Sequence, residues 1–173
     1  MVLLEFNFQY IEVFVMVIYF VIIGLLFFEF RTMKDLIKER TDINNEGLRL
    51  KLQALERLTL FAERAGLKNM IGRVESMDMT ASMLHIMLVE MLKTEFEYNV
   101  SQQIYVSPEV WNAVTRLKDQ NIYIINQLSS TLPHEAIAMD LSKRVLEYSM
   151  QNNAELNTIV LDALQYEAKR VMA

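Results

Sequence analysis

Two histidines and several glutamates are the residues of this sequence best suited to metal or acid–base chemistry. His85 lies five positions before Glu90, and Glu95 lies two positions before Glu97. Residues on one face of a helix are three or four positions apart, so the side chains of each pair diverge. The sequence has no H-E-x-x-H and no Glu-x-x-His spacing, and the second histidine, His134, completes neither. We therefore predict no metal site.

Nucleophilic catalysis and phosphate binding also lack their usual residues. The sequence contains no cysteine and no nucleophile elbow, and Gly47, Gly66 and Gly72 are isolated, so no glycine-rich loop forms. We predict a protein that is not an enzyme and that binds no cofactor. An enzyme whose site is assembled only by the tertiary structure remains an alternative.

Four methionines, Met79, Met83, Met87 and Met91, recur at every fourth position and therefore line one stripe of one helix. Burial of such a stripe against neighbouring helices is the commoner use, and the sequence favours it. The alternative is a groove for a partner protein, because methionine adapts to varied surfaces. Copper binding would need a cysteine or histidine on the same stripe, and none is there.

Residues 95–107 (EFEYNVSQQIYVS) mix aromatic, amide and acidic side chains more densely than any other segment. Tyrosine and amide groups make adaptable interface contacts. The candidate partner-binding residues of this segment are Tyr98, Gln102, Gln103 and Tyr105. The sequence favours a second interpretation, a helix C-terminus whose amide side chains bond the last carbonyls while Ile104 and Val106 enter the core.

Glu12 is a carboxylate within the apolar N-terminal region. Ionised groups inside a bilayer are costly, so they usually have a function. Because Glu12 lies near the N-terminus, the sequence favours a position at the membrane interface. Pairing with a partner subunit is the alternative, and a proton-handling role comes third.

The apolar stretch of residues 13–28 (VFVMVIYFVIIGLLFF), which contains no charge, indicates that the chain is held in a membrane. At ~1.5 Å per residue it covers about 24 Å, and the run from residue 6 covers about 34 Å, enough for a hydrocarbon core of ~30 Å. No basic N-terminal region precedes it and no A-x-A pattern follows it, unlike in a signal peptide. We predict an uncleaved transmembrane anchor over residues 1–30.

The basic residues after the span predict its orientation. No Lys or Arg precedes Arg31, whereas Arg31, Lys34, Lys38 and Arg40 follow the span closely. By the positive-inside rule the N-terminus lies outside and the rest of the chain lies in the cytoplasm. We expect these four residues to contact the lipid bilayer surface, where each contributes ~1 kcal/mol on anionic lipid.

Charge is uneven along the remaining sequence. Residues 31–73 carry ten Lys and Arg against six Asp and Glu, whereas residues 74–173 carry seven against thirteen. So acidic a second half argues against nucleic acid as a partner.

Apolar residues at helical spacing, with two prolines and four glycines in all, predict an all-α fold. We expect one N-terminal transmembrane helix, a basic juxtamembrane helix over residues 31–46 that breaks at Asn44-Asn45-Glu46-Gly47, and a cytoplasmic bundle of about five helices over residues 47–173. The predicted boundaries are Gly66 as a helix end, a connector over residues 66–78, Asp78 or Thr80 as an N-cap, Gln102 as an end, Ser107 as an N-cap before Pro108, Pro133 as an end, and Asn152-Asn153 as the last break.

Three segments carry a resemblance to a known family: LKLQALERLTLFAER at residues 50–64, EFEYNVSQQIYVS at residues 95–107, and DLSK at residues 140–143. In these segments the chain resembles an uncharacterised Bacteroidota family of short, N-terminally anchored proteins, a domain of unknown function. The resemblance implies an inner-membrane protein of a Gram-negative cell and implies no activity.

These observations lead to three functional hypotheses. The first is a non-enzymatic, single-span inner-membrane protein that acts as an accessory or scaffold subunit, by self-association or with other subunits of a membrane complex. The second is a membrane-tethered regulator that recruits a soluble partner. The third is an enzyme with a dispersed site.

Overall fold

The computed structural model describes the backbone of residues 2–75, 78–152 and 154–172, and the side chains of residues 10–75, 78–150 and 156–172. Within that part of the chain the fold is all-α, with six α-helices and one short 3₁₀ helix. The α-helices are α1 (Val2–Ala65), α2 (Leu67–Gly72), α3 (Ala81–Asn99), α4 (Pro108–Ser130), α5 (Ala138–Asn152) and α6 (Ala154–Met172), and the 3₁₀ helix is Val100–Ile104. The chain forms two compact units, Met1–Gly47 and Leu48–Ala173.

The first unit consists of the N-terminal part of α1, up to Gly47. Its described side chains are all exposed, and its most apolar window has a mean hydropathy of 2.8 with none of it buried. The helix is long and apolar enough to cross a membrane. The break predicted at residues 44–47 is wrong, because helical structure continues through them. That segment has no proline, and Asn and Gly each destabilise a helix by only up to ~1 kcal/mol. The helical residues on both sides offset this cost, so the helix continues.

The second unit is built around one hydrophobic core. Each of its longer helices contributes a stripe of side chains that are at most 3% exposed: Leu58 and Phe61 from α1, Leu84, Leu88 and Leu92 from α3, Leu117 and Ile125 from α4, Leu141 and Val145 from α5, and Val160 and Leu164 from α6. Burial of one such side chain stabilises the folded state by ~1.5–3 kcal/mol. This core holds the surface residues of the unit in position.

Two of the predicted N-caps are confirmed. The hydroxyl of Thr80 accepts the backbone N–H of Met83 at 3.2 Å, and the hydroxyl of Ser107 accepts that of Val110 at 3.3 Å, with Pro108 in the first turn of α4. These bonds satisfy backbone donors that a helix start leaves unpaired. Thr80 also pairs with Ile137 in an isolated antiparallel bridge, which joins the starts of α3 and α5.

Gly66 ends α1 as predicted, but without a left-handed backbone. Its φ is −57°, and no described glycine has a positive φ. Space explains the residue instead, because a Cβ at this position would lie 3.3 Å from the carbonyl oxygen of Glu63 and 3.4 Å from Nδ2 of Asn157. The expected connector after Gly66 is partly wrong, since residues 67–72 form α2.

The remaining boundaries differ by a few residues. Helix α3 ends at Asn99 instead of Gln102, and the chain tightens there into the 3₁₀ helix. Helix α4 ends at Ser130, close to the predicted end at Pro133. Of the break predicted at Asn152-Asn153, Asn153 lies outside the described residues.

Candidate binding surfaces and a polar pocket

The methionine stripe lies beside the buried face of α3. Leu84, Leu88 and Leu92 take the core positions. Met83, Met87 and Met91 each precede one of these leucines by one position, or 100° around the helix. The predicted burial is therefore wrong for Met83 and Met87, which are 58% and 38% exposed. Met79 and Met91, at the two ends of the stripe, are partly buried against the core.

Ile86 extends the exposed part of this stripe. It is 58% exposed and lies three positions after Met83 and one before Met87, so the three side chains share one helix face. We call Met83, Ile86 and Met87 the methionine surface. Methionine side chains are flexible and polarisable, which suits a surface that must fit another apolar surface.

The segment from Tyr98 to Tyr105 is divided between the core and the surface. Asn99 is buried and its amide donates to the carbonyl oxygen of Glu95 at 2.8 Å, as expected for a helix C-terminus. Gln102 is also buried. The expected burial of Ile104 is wrong, because this side chain is 72% exposed and the tight 3₁₀ turn directs it away from the core.

The other candidate residues of this segment are exposed or half-buried. Tyr98 is exposed, and its ring lies 5.0 Å below the guanidinium carbon of Arg57. Gln103 is exposed and Tyr105 is half-buried. The structure therefore leaves Tyr98 and Gln103 accessible to a partner and uses Gln102 inside the fold.

The predicted membrane residues all lie on the first unit. Glu12 and the basic residues Arg31, Lys34, Lys38 and Arg40 are exposed on α1. All five residues lie on one helix. Within the described residues of the first unit, no second element packs against that helix to bury them.

A buried carboxylate joins three helices of the second unit. Glu167 on α6 is 3% exposed, and its carboxylate accepts hydrogen bonds from the backbone N–H of Ser107, at 2.9 Å, and from the Ser107 hydroxyl. The ammonium of Lys51 on α1 lies 3.7 Å from the same carboxylate. Hydrogen bonds to a charged group are stronger than neutral ones, so this cluster is a structural link between α1, α4 and α6.

A second charged cluster holds the end of α1 against α3. Glu95 is 18% exposed and lies 2.9 Å from Arg64 and 3.4 Å from Arg73. Arg73 also donates to the carbonyl oxygen of Arg64 at 2.9 Å, which satisfies one of the carbonyls that a helix end leaves free. Glu95 thus has a structural role.

His85 is engaged on the surface. Its ring nitrogen Nε2 donates to Oδ1 of Asn126 at 2.7 Å, which connects α3 to α4. Across the described residues, no three His, Cys, Asp or Glu side chains come together as a metal ion would require.

Sequence reasoning missed a polar pocket of about 390 Å³ at the end of α1. Three asparagines line it, one from each of α2, α4 and α6: Asn69, Asn121 and Asn157. Asn69 donates to the carbonyl oxygen of Glu63 at 2.7 Å, and Asn121, which is buried, donates to that of Ala65 at 2.8 Å. We call this the asparagine pocket.

One atom of the asparagine pocket is unusual. Oδ1 of Asn157 is buried and has no hydrogen-bond partner in the protein. Such a group costs ~1–3 kcal/mol of stability, so it calls for an explanation. No sequence signal could have found this pocket, because its asparagines lie 36 or more positions apart.

Comparison with known proteins yields a family and no activity. A family model described as a family of unknown function, DUF7935, matches residues 2–171, nearly the whole chain. Neither a curated protein nor a solved structure matches the chain.

Proposed function

This chain belongs to DUF7935, a family of unknown function, and from that premise we propose that it is a non-enzymatic, single-span inner-membrane protein of a Gram-negative bacterium. In this proposal it is an accessory or scaffold subunit of a membrane protein complex, and its helical second unit makes the contacts. Its N-terminus lies outside and its second unit in the cytoplasm.

The observation that carries the proposal is the exposure of the apolar part of α1. Between residues 10 and 30 the large apolar side chains are 42–70% exposed, from Ile18 and Ile23 at the lower end to Phe28 at the upper end. Soluble proteins rarely expose so large an apolar surface. A core helix would be covered by its own protein, whereas this window has no buried residue. The length of this apolar stretch matches the thickness of the hydrocarbon core of a lipid bilayer.

The charges flanking the helix support the orientation. Lys and Arg are absent before Arg31, and four basic residues follow within the exposed helix. The positive-inside rule then retains the C-terminal side in the cytoplasm. The absence of a small-residue cleavage pattern after residue 28 favours a retained anchor over a signal sequence.

The methionine surface supports a protein partner for the second unit. Met83, Ile86 and Met87 form an apolar face beside the face of α3 that Leu84 and Leu88 anchor in the core. Because the core is complete without them, these side chains are free to contact another chain. Tyr98, exposed near the other end of α3, is a further candidate contact.

The test is extraction of the tagged full-length protein from its native membrane in mild detergent, followed by particle mass and identification of co-purifying chains. A particle of defined mass with stoichiometric membrane partners, or a defined homo-oligomer, is the expected result. A dissociable, substoichiometric soluble partner would favour the alternative, a membrane-tethered regulator. A protein that is recovered without detergent would overturn the anchor.

A matched pair of variants locates the contact. The double variant Met83→Glu, Met87→Glu should fold and lose the partner. The control is Ile159→Glu, Tyr166→Glu on α6, where the side chains are 58% and 69% exposed. It adds the same charge at exposed apolar positions of another helix and should retain the partner. Equal loss in both variants would place the contact elsewhere.

A further inference from the structure

The part of α1 that follows the apolar stretch has an exposed apolar face of its own. Phe30, Met33, Leu36, Ile37 and Ile43 are 56–69% exposed. The helix continues through all five positions, and among the described residues of the first unit nothing covers them. An amphipathic helix gains most of its stability when another element packs on its apolar face.

The spacing of this face is that of a two-stranded coiled coil. Met33, Leu36, Arg40, Ile43 and Gly47 follow one another in alternating steps of three and four positions, as the a and d positions of a heptad do. We call these five residues the juxtamembrane seam. The remaining charged residues up to position 42, apart from Glu39, all fall at the outer b, c and f positions: Arg31, Lys34, Asp35, Lys38 and Asp42.

The charges of this segment favour a helix as its cover over a lipid surface. Residues 31–46 carry four Lys and Arg and four Asp and Glu. A helix that lies on anionic lipid has a polar face with an excess of basic residues. Charges of both signs along the outer face of a helix are typical of a coiled coil, in which that face stays in water.

The membrane anchor favours a second copy of this chain as the partner helix, a step that rests on the proposed function. Two copies inserted with the same orientation hold their apolar stretches at the same depth. Their juxtamembrane seams then run parallel, and each seam residue faces its own counterpart. The seam spans fifteen residues, 33–47, about two heptads. Confinement to one bilayer raises the effective concentration of the second copy, which offsets this short length.

Charge complementarity favours the same arrangement. Arg40 is the charged residue of the seam, at an a position. In a parallel pair each seam residue inserts among four residues of the facing helix, and for Arg40 one of the four is Glu39 of the second copy. The two-fold symmetry forms this pair twice and offsets the repulsion between the two Arg40 side chains. A polar residue at one a position specifies register and the number of strands at some cost in stability.

We propose that the juxtamembrane seam pairs with the same seam of a second copy in a parallel, two-stranded coiled coil next to the membrane. Leu36 and Ile43 make its apolar contacts, and Arg40 with Glu39 sets its register. The dimer presents two copies of the methionine surface, so a complex with two equivalent sites is bound more tightly than one copy alone would bind it.

The first experiment uses the absence of cysteine from the sequence. Leu36→Cys and Ile43→Cys place single thiols at d positions, whereas Asp35→Cys and Asp42→Cys place them at outer c positions one residue earlier. Disulfide formation needs Cα atoms about 4.4–6.8 Å apart. In isolated membranes treated with copper phenanthroline, the two d variants should give about fivefold or more disulfide-linked homodimer than the two c variants.

Three results would overturn the proposal: equal cross-linking at all four positions, preference for the c positions, and a disulfide-linked product whose mass is that of a different protein. Absence of any cross-link in protein that is recovered from the membrane with detergent would also overturn it, and would leave the proposed anchor intact. Protein recovered without detergent would instead contradict the proposed function.

A matched pair of variants tests the apolar contact without cross-linking. Two full-length copies with different tags are co-expressed, and the fraction that co-purifies in mild detergent is measured. Ile43→Glu in both copies should lower that fraction about tenfold, because two carboxylates then face each other in the seam. Asn45→Glu adds the same charge two positions later, 200° around the helix, and should co-purify as the wild type does. Equal fractions for the two variants would contradict the seam.

A charge exchange tests the register. Glu39→Arg places arginines of both copies side by side and should lower co-purification severalfold. The double variant Glu39→Arg, Arg40→Glu restores opposite charges and should recover most of the loss. A double variant that pairs no better than Glu39→Arg would contradict the pairing of Arg40 with Glu39.

Discussion

The buried carboxylate of Glu167 accepts the backbone N–H of Ser107 at 2.9 Å, so the N-cap residue of α4 is itself held by a residue of α6. The Ser107 hydroxyl donates to the same carboxylate and accepts the N–H of Val110. A negative charge at a helix N-terminus is favourable because it interacts with the helix dipole. One residue thus fixes both the start of α4 and the packing of α6.

Glu167→Gln should destabilise the second unit by about 2 kcal/mol, because a hydrogen bond to a charged group contributes ~1.5–3 kcal/mol and Lys51 loses its partner. Denaturant unfolding in detergent would measure this loss of stability. Trp111 is the single tryptophan and lies one turn after Ser107, so its fluorescence reports on the start of α4. Glu56→Gln, at an exposed position of α1, is the control and should change the free energy of unfolding by less than ~0.5 kcal/mol. Equal effects would contradict the structural role of Glu167.

Adjacent residues of α3 should differ sharply in their effect on stability. Leu88→Ala removes a side chain that is 0% exposed and should cost ~2–5 kcal/mol, because it leaves a cavity in the core. Met87→Ala removes one that is 38% exposed and should cost less than ~1 kcal/mol. The comparison is made by thermal or denaturant unfolding of the two single variants. A larger loss in Met87→Ala would mean that the methionine stripe is core.

The backbone carbonyl of Ala65, at the end of α1, accepts a hydrogen bond from the side-chain amide of Asn121 on α4. Asn121→Leu removes the donor to the carbonyl oxygen of Ala65 and should cost ~1–3 kcal/mol, because both groups are buried. Asn126→Leu breaks the exposed bond to His85 and should lie within ~0.5 kcal/mol of the wild type. Unfolding free energies of both variants decide the matter, and a neutral Asn121→Leu would contradict the assigned bond.

The orientation can be measured with a single thiol. Because the sequence has no cysteine, Ser101→Cys introduces the one reactive thiol of the chain, at an exposed position. A membrane-impermeant maleimide should label it only after the cells are permeabilised. Labelling in intact cells would place the second unit outside and contradict the proposed topology.

The basic residues should determine that orientation. Replacing Arg31, Lys34, Lys38 and Arg40 by Gln in the Ser101→Cys protein should raise the fraction labelled in intact cells, because the positive-inside signal is lost. The control Lys34→Arg, Lys38→Arg keeps the charge and should label as the parent does. An unchanged fraction in the Gln variant would show that these residues do not set the topology.

Local signals in the sequence determined the helices and most of their limits. The uncharged run of residues 13–28, the Thr80 cap and the Ser107-Pro108 start each depend on neighbouring residues alone, so they were predicted correctly as helical features. Hydrophobic periodicity and helix capping each involve residues within one or two helical turns, so both can be read from neighbouring positions in the sequence.

Which face of each helix became core was decided by the tertiary structure. In α3 the apolar residues cover more of the helix than the core can bury, and the packing selected Leu84 and Leu88 while leaving Met83 and Met87 exposed. The sequence alone could not rank two apolar stripes 100° apart, because both satisfy the same period.

Contacts between distant positions were likewise beyond the sequence. Glu167 meets Ser107 across 60 positions, and Asn69, Asn121 and Asn157 meet only because α2, α4 and α6 pack together. The sequence by itself determined an all-α chain with an apolar N-terminal helix, since these properties are local. The buried carboxylate and the asparagine pocket were decided by the tertiary structure, because the packing of the helices alone brings their residues together.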